Sequence, residues 1–331
     1  MVKFALFGAG RIGRVHAENI ARHPRAQLSH IYDVNLTAAK KISDESAANV
    51  AASPEDIWSA DDVDAVLIAS STNTHADLLG RALGAKRAVF CEKPIDLDIN
   101  RVKTLVAQAN GAKFPLAIGF SRRFDPNHLA LRESVMRGEI GRVEMVHLTG
   151  RDPSPPPIAY VEVSGGQFRD QTIHCFDLAR WITGEDPISV YASGSCLIDP
   201  AIGEAGDTDT SMLILKMPSG ALCHIDNSRR AAYGYDERIE VLGSEGMVES
   251  RRQRAGDLSI YRGEEIIEAG LHPSWYGRLR ESFAAELDAF ITSIESSQPY
   301  SPSLRDGLKA QLIAEAAVRS LETEGPVNVE Y

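Results

Sequence analysis

The sequence predicts a two-domain α/β protein: a doubly wound parallel sheet followed by a second α/β domain in which antiparallel strands predominate. Three observations carry this. Short apolar runs alternate with helical patterns over the first third of the chain, as in parallel sheets flanked by helices. The rhythm then changes to closely joined strand-like runs, whose short connections imply antiparallel pairing. A chain of 331 residues also exceeds the size at which one core usually keeps growing.

In the first domain, strands are expected over Lys3–Phe7, Gln27–Tyr32, Ala65–Ala69, Ala88–Cys91 and Leu116–Gly119. Helices are expected over Ile12–Arg22, Thr74–Leu83 and Val102–Ala109, where apolar residues recur at helical spacing. The domain is expected to end at residue 120, leaving 121–331 for the second. That part predicts a helix over Asn127–Met136, a strand over Val143–Thr149 and a proline-rich loop. A helix after the paired glycines Gly165 and Gly166 follows, then strands over Ile188–Ala192, Ser211–Met217, Leu222–Ser228, Ile239–Leu242 and Leu258–Tyr261. Helices over Leu279–Ile294 and Ser303–Leu321 complete it. No internal repeat or low-complexity tract interrupts the chain.

Composition narrows the function. A formal charge of −11 opposes binding to nucleic acid or an anionic membrane surface, both of which attract positive fields, so the expected partner is a small molecule. The four cysteines, Cys91, Cys175, Cys196 and Cys223, form no Cys-x-x-Cys pair, which removes the usual zinc and redox patterns, and no metal is expected. A reduced, cytoplasmic setting is anticipated. The amino terminus shows no signal-peptide pattern, and no apolar run approaches the roughly 20 residues of a spanning helix.

The turn after the first strand reads Gly8-Ala9-Gly10-Arg11-Ile12-Gly13. In a strand–turn–helix setting the first glycine permits the tight turn, the second lets backbone approach a pyrophosphate, and the third lets helix and strand pack closely. The free amides of the helix start face the anion. The second strand ends at Asp33, where a dinucleotide site needs an acceptor for ribose hydroxyls; a helix cap before Leu36 is its structural alternative. Two like unit charges about 4 Å apart at an effective dielectric near 20 repel by about 4 kcal/mol. Because Val34 and Asn35 offer no cation, NAD is expected over NADP.

The strand ending at Cys91 runs into Glu92-Lys93-Pro94 and so delivers a lysine at the carboxyl edge of the sheet, where open α/β sheets bind ligands. Thr72, Asn73 and His75, after the strand Ala65–Ala69, are candidates for the nicotinamide half, with a solvated first-turn residue the alternative for His75. In SGGQFRDQTIHCFDLARW, helical spacing places Asp170, His174, Asp177 and Trp181 on one face. Histidine is the side chain best suited to accept a proton at neutral pH, and an aspartate one turn earlier can orient it. A surface histidine behind an N-cap aspartate is the alternative.

Taken together, Gly8-x-Gly10-x-x-Gly13, Glu92-Lys93-Pro94 and Gly165-Gly166-x-Phe168-x-Asp170-x-x-x-His174 resemble the two-domain oxidoreductase family that includes glucose-fructose oxidoreductase and inositol dehydrogenase. The resemblance covers essentially the whole chain. The stretches GFSRRFDP, GRDPSPPPIAYVEVSGG and SRRAAYGYDERIEVLGSEG are most similar to its inositol 2-dehydrogenases. It implies a Rossmann domain and an α/β domain with one large open sheet, commonly assembled into homotetramers through that sheet. It implies NAD as cofactor and Lys93, Asp170 and His174 as the catalytic group, with Arg123, Asp152, Tyr233 and Tyr235 reading the substrate. The implied reaction oxidises a cyclitol secondary alcohol, myo-inositol to its 2-ketone. Other sugar or polyol dehydrogenases of the family, and a non-catalytic dinucleotide sensor, are the alternatives. Relatives often carry Asp directly after this histidine, where this chain has Cys175, which is expected to pack inward.

Overall fold

The computed structural model describes all 331 residues and divides the chain into two compact units, Met1–Ser121 with Ser282–Leu308, and Arg122–Glu281 with Lys309–Tyr331. The first unit is built on β1 (Val2–Phe7), α1 (Arg11–Arg22), β2 (Ala26–Tyr32), α2 (Leu36–Ser46), β3 (Asn49–Val50), α3 (Pro54–Ser59), β4 (Ala65–Ile68), α4 (Thr72–Gly84), β5 (Ala88–Cys91), α5 (Ile99–Gln108) and β6 (Leu116–Ile118). Its six strands lie in the order β3-β2-β1-β4-β5-β6 and every pair is parallel. All four residues of β4 and of β5 are buried, the continuous apolar pattern of strands covered on both faces. The order reverses between β1 and β4, so the carboxyl ends of these two strands open the crevice in which such sheets bind ligands.

Ser282–Leu308 returns to this unit because of aromatic packing. Phe290 lies 6.2 Å from Phe4 and 5.7 Å from Phe90, ring centroid to centroid, and Tyr300 closes on Phe290 at 5.6 Å. Phe283 meets His16 edge-on at 5.8 Å. Burial of such rings is a large apolar contribution.

The second unit continues with a 3-10 turn over Ser121–Phe124, α6 (Pro126–Met136), β7 (Val143–Arg151) and α7 (Ile158–Ser164). A π-turn over Phe168–Thr172 leads into α8 (Ile173–Thr183), followed by β8 (Ser189–Ser195), α9 (Pro200–Glu204), β9 (Thr210–Lys216), β10 (Leu222–Ser228), β11 (Asp236–Gly243) and β12 (Gly246–Ser250). The hairpin β13 (Ser259–Arg262)–β14 (Glu265–Glu268), α10 (Trp275–Ser296), α11 (Leu304–Thr323) and β15 (Val327–Asn328) end the chain. Seven strands form one sheet in the order β12-β11-β7-β10-β9-β8-β15. Its pairs are antiparallel except for β7 and β10, which run parallel. This mixed, mostly antiparallel sheet has the architecture the sequence predicts. One face is covered by α8, whose residues Ile173, Phe176, Leu178 and Ile182 are buried. The other presents Met145, Tyr191, Met212, Ile214, Leu222 and Leu242 at the surface.

The one parallel pair positions the site. Because β7 and β10 run the same way, their carboxyl ends share an edge: Arg151 pairs with Ser228, and Asp152 donates its amide to the Ser228 carbonyl at 2.9 Å.

Candidate functional site

In the first unit the glycine turn has the features a pyrophosphate cradle requires. Gly8 adopts φ +102°, and a Cβ there would stand 2.5 Å from the Ala69 backbone. A Cβ on Gly13 would stand 2.0 Å from the Gly8 carbonyl oxygen, whereas one on Gly10 would meet nothing within 4 Å. Gly8 and Gly13 are therefore required by packing, and Gly10 leaves room for an incoming group. Gly10 caps α1 with no side-chain hydrogen bond, so the amides of Arg11 and Ile12 stand at the helix start where an anion is favoured.

Asp33 closes this turn. Its Oδ2 accepts from the Ala9 amide at 2.6 Å and its Oδ1 from the Asn35 amide at 2.7 Å. The cap of α2 is Asn35, which accepts from the Ala38 amide. The Asp33 carboxylate is thus fixed at the end of β2 with lone pairs left for ribose hydroxyls. Val34 is 89% exposed, so an arginine side chain fits there without disturbing the core. Changing Asp33 to serine and Val34 to arginine together shifts the ratio of kcat/KM for the two dinucleotides toward NADP; an unmoved ratio would remove Asp33 from ribose recognition.

Lys93 is held from both sides by buried groups of the first unit. Glu92 accepts from the His16 ring at 2.7 Å and from the Lys93 amide at 3.3 Å, and a Cβ on Gly119 would come within 2.8 Å of its carboxylate. Burial alone would raise the Glu92 pKa, but His16, Lys93 and His75 hold it below the usual carboxylate range. His75 is not the solvated residue its place in α4 implies. It is 2% exposed, and its ring nitrogens face the carbonyls of Pro94 at 2.9 Å and Ser70 at 3.0 Å. Burial lowers its pKa while the two carbonyls act the other way, and the ring sits between the lysine loop and the end of β4. Thr72 and Asn73 open α4 beside it.

In the second unit the π-turn alters the expected polar stripe. Asp170 lies within that turn, and its carboxylate accepts from the Tyr160 hydroxyl at 2.9 Å and from Arg229 at 3.3 Å. Such one-turn widenings are frequent at functional positions. His174 is 8% exposed in the first turn of α8. Asp177 belongs to a different set: it is 1% exposed and accepts from Arg123 Nε at 2.7 Å and Nη2 at 2.5 Å. Trp181 lies under the guanidinium of Arg132 at 5.0 Å. Cys175 is buried, 3.6 Å from where a Cβ of Gly150 would stand, and burial raises its pKa to about 12; it packs α8 onto β7 as an unreactive thiol.

The structure therefore places Arg123, one of the expected substrate readers, against Asp177, and puts the neighbouring Arg122 among polar groups. Arg122 donates to the Tyr235 hydroxyl at 3.1 Å and to Glu237 at 3.3 Å, and Tyr235 donates to Glu237 at 2.9 Å. Burial opposes the charge on Arg122, but Tyr235, Glu237 and Asp152 raise its pKa above the usual value. Burial likewise keeps the Tyr235 phenol protonated. Asp152 accepts from Gln171 at 2.9 Å. Tyr233 is 48% exposed and donates to Asp236 at 2.8 Å while accepting from Arg151 at 3.1 Å. Arg122, Tyr160, Gln171, Arg229 and Glu237 are polar groups of this edge that sequence reasoning missed. The Arg-Arg doublet in SRRFDP was the available signal, but adjacent residues point apart and spacing does not say which one faces the edge.

Comparison with known proteins follows this geometry. Residues 2–120 match the oxidoreductase family, NAD-binding Rossmann fold, and residues 128–249 match the GFO/IDH/MocA C-terminal domain. The chain belongs to the GFO/IDH/MocA family of oxidoreductases. It is similar to the inositol 2-dehydrogenase of Rhizobium meliloti, with 45% identity over 99% of both chains, and to the myo-inositol 2-dehydrogenase of Thermotoga maritima, with 41% identity over 99% of both. Among solved structures it resembles the scyllo-inositol dehydrogenase of Lactobacillus casei with bound NAD(H) and scyllo-inositol, with a TM-score of 0.93 and 28% identity over 99% of each chain. Its first 120 residues thus form an NAD-binding Rossmann domain. No helix of this family member is long and apolar enough to cross a membrane.

Proposed function

We propose that this oxidoreductase is an NAD-dependent inositol 2-dehydrogenase that converts myo-inositol to the 2-ketone. The observation that carries the reading is the polar edge at the ends of β7 and β10. Asp152, Arg122, Gln171 and Tyr235 gather there as donors and acceptors, which suits a ring bearing hydroxyls all round. Likeness over nearly the full length to proteins named for this activity supports it.

Within this proposal His174 accepts the proton of the reacting hydroxyl, Asp170 orients and stabilises the imidazole, and Lys93 stabilises the developing alkoxide. The nicotinamide, when bound, supplies the hydride acceptor. The fixed placement of the Asp170 carboxylate by Tyr160 and Arg229, and of the Lys93 backbone by Glu92, is the pre-organisation such a role needs. Residues 1–120 are assigned to cofactor and 121–331 to substrate and assembly, except that Ser282–Leu308 packs with the first unit. The exposed apolar side chains on the open sheet face favour association of like chains through it, as a homotetramer in the cytoplasm.

The test is a panel of inositol isomers, other polyols and aldoses with NAD, followed by NADH absorbance. myo-Inositol is expected to give the highest kcat/KM. A different sugar in that place would overturn the substrate assignment, and no reduction with any of them would indicate a dinucleotide sensor.

A further inference from the structure

We propose that the open face of the large sheet carries a binding site for a divalent transition metal of the zinc class, formed by His147, His224 and Asp226. The ligand-bearing residues are brought together only by folding. His147 on β7 and His224 on β10 are direct partners in the parallel register, and Asp226 lies two residues further along β10 on the same face. One donor atom from each of the three residues lies within 4.8 Å of the other two. Their sequence separation matches no metal-binding pattern, which is why the sequence leads to an expectation of no metal.

The local geometry fits an ion as well as a hydrogen-bond network. His147 Nε2 stands 3.2 Å from Asp226 Oδ2. Around a four-coordinate ion with metal–ligand distances of about 2.0–2.1 Å, adjacent donors lie about 3.3 Å apart. The two imidazoles are tilted with ring centroids 4.5 Å apart, and the His224 ring is only partly buried. Two nitrogens and one carboxylate oxygen suit zinc and its neighbours and leave a position for water.

The carboxylate is already oriented. Asp226 is 5% exposed, its Oδ1 accepts from Arg151 Nε at 2.7 Å, and its Oδ2 accepts from the Thr149 hydroxyl at 2.7 Å. Outer hydrogen bonds of this kind hold metal-binding groups in place. Arg151 also neutralises part of the negative charge, so a strongly hydrated hard cation such as calcium, which needs 6–8 oxygens, is disfavoured. Glu240 on β11 is the next residue in the same cross-strand row, paired with His147, and it keeps the surroundings acidic. All three donors come from one chain.

Cobalt(II) tests this, because a low-coordinate nitrogen and oxygen site gives it strong visible absorption that the aqueous ion lacks. Protein stripped with a chelator is titrated with cobalt, and zinc is then added in competition. The expected result is a visible band saturating near about one equivalent per chain and abolished by zinc. In His224→Ala and His147→Ala, and in the Gln variants should either Ala form fail to fold, cobalt affinity falls roughly tenfold or more. Zinc raises the melting temperature of the unaltered chain but not of these variants. A colourless titration of the unaltered chain, or variants that bind cobalt as tightly as it does, would overturn the proposal.

Discussion

Replacing His174 with asparagine lowers the rate of NAD reduction by roughly 10²–10⁴-fold, the usual contribution of a positioned general base, while NAD affinity stays close to that of the unaltered chain. The separation of the two effects follows from the fold. His174 is carried by α8 of the second unit, whereas the glycine turn and Asp33 belong to the first. Asparagine keeps the polarity and much of the volume but cannot accept a proton near neutral pH. Steady-state kinetics with NADH absorbance, together with NAD binding followed by fluorescence or calorimetry, measure the two quantities. Turnover close to that of the unaltered chain would remove His174 from the mechanism.

Asp177→Asn is expected to act differently, through stability. The Arg123–Asp177 pair is fork-to-fork, with both partners almost wholly buried, and neutralising one side leaves a buried guanidinium short of its counter-charge. Breaking such a pair typically costs about 3–5 kcal/mol, a large share of the total stability of a folded chain. Denaturant unfolding should show a markedly lower midpoint, and the loss should be far smaller when Arg123→Leu and Asp177→Leu are combined, because replacing both charges removes the unpaired one. A midpoint unchanged in Asp177→Asn would mean that the pair does not stabilise the fold.

These two residues also show what could be read from the sequence. Asp170, His174, Asp177 and Trp181 look like one stripe at helical spacing, but a π-turn over Phe168–Thr172 precedes α8, and no residue pattern announces it. Asp177 turns to Arg123, and Asp170 to Tyr160 and Arg229. The glycine turn was legible because its constraints are local: positive φ at Gly8 and the contact of Gly13 with the Gly8 carbonyl leave few other residues possible. Leu222–Ser228 was legible for the same reason, as a strand bounded by turn residues. The parallel pairing of β7 with β10 was not, because α7, α8, β8, α9 and β9 intervene and closely joined strands ordinarily pair antiparallel. For His75 the sequence allows either a nicotinamide-side group or a solvated first-turn residue, and the two backbone carbonyls from separate loops that enclose it exclude the second.

The aromatic cover that Phe283, Phe290 and Tyr300 place on the first unit has a consequence for biosynthesis. Those side chains emerge from the ribosome only after Arg122–Glu281 has been made. At about 5–20 residues per second the nascent dinucleotide unit therefore waits on the order of ten to thirty seconds with Phe4 and Phe90 lacking that cover. Each unit thus needs a segment made after most of the other, Ser282–Leu308 for the first and Lys309–Tyr331 for the second, so neither is complete before synthesis of the other is far advanced.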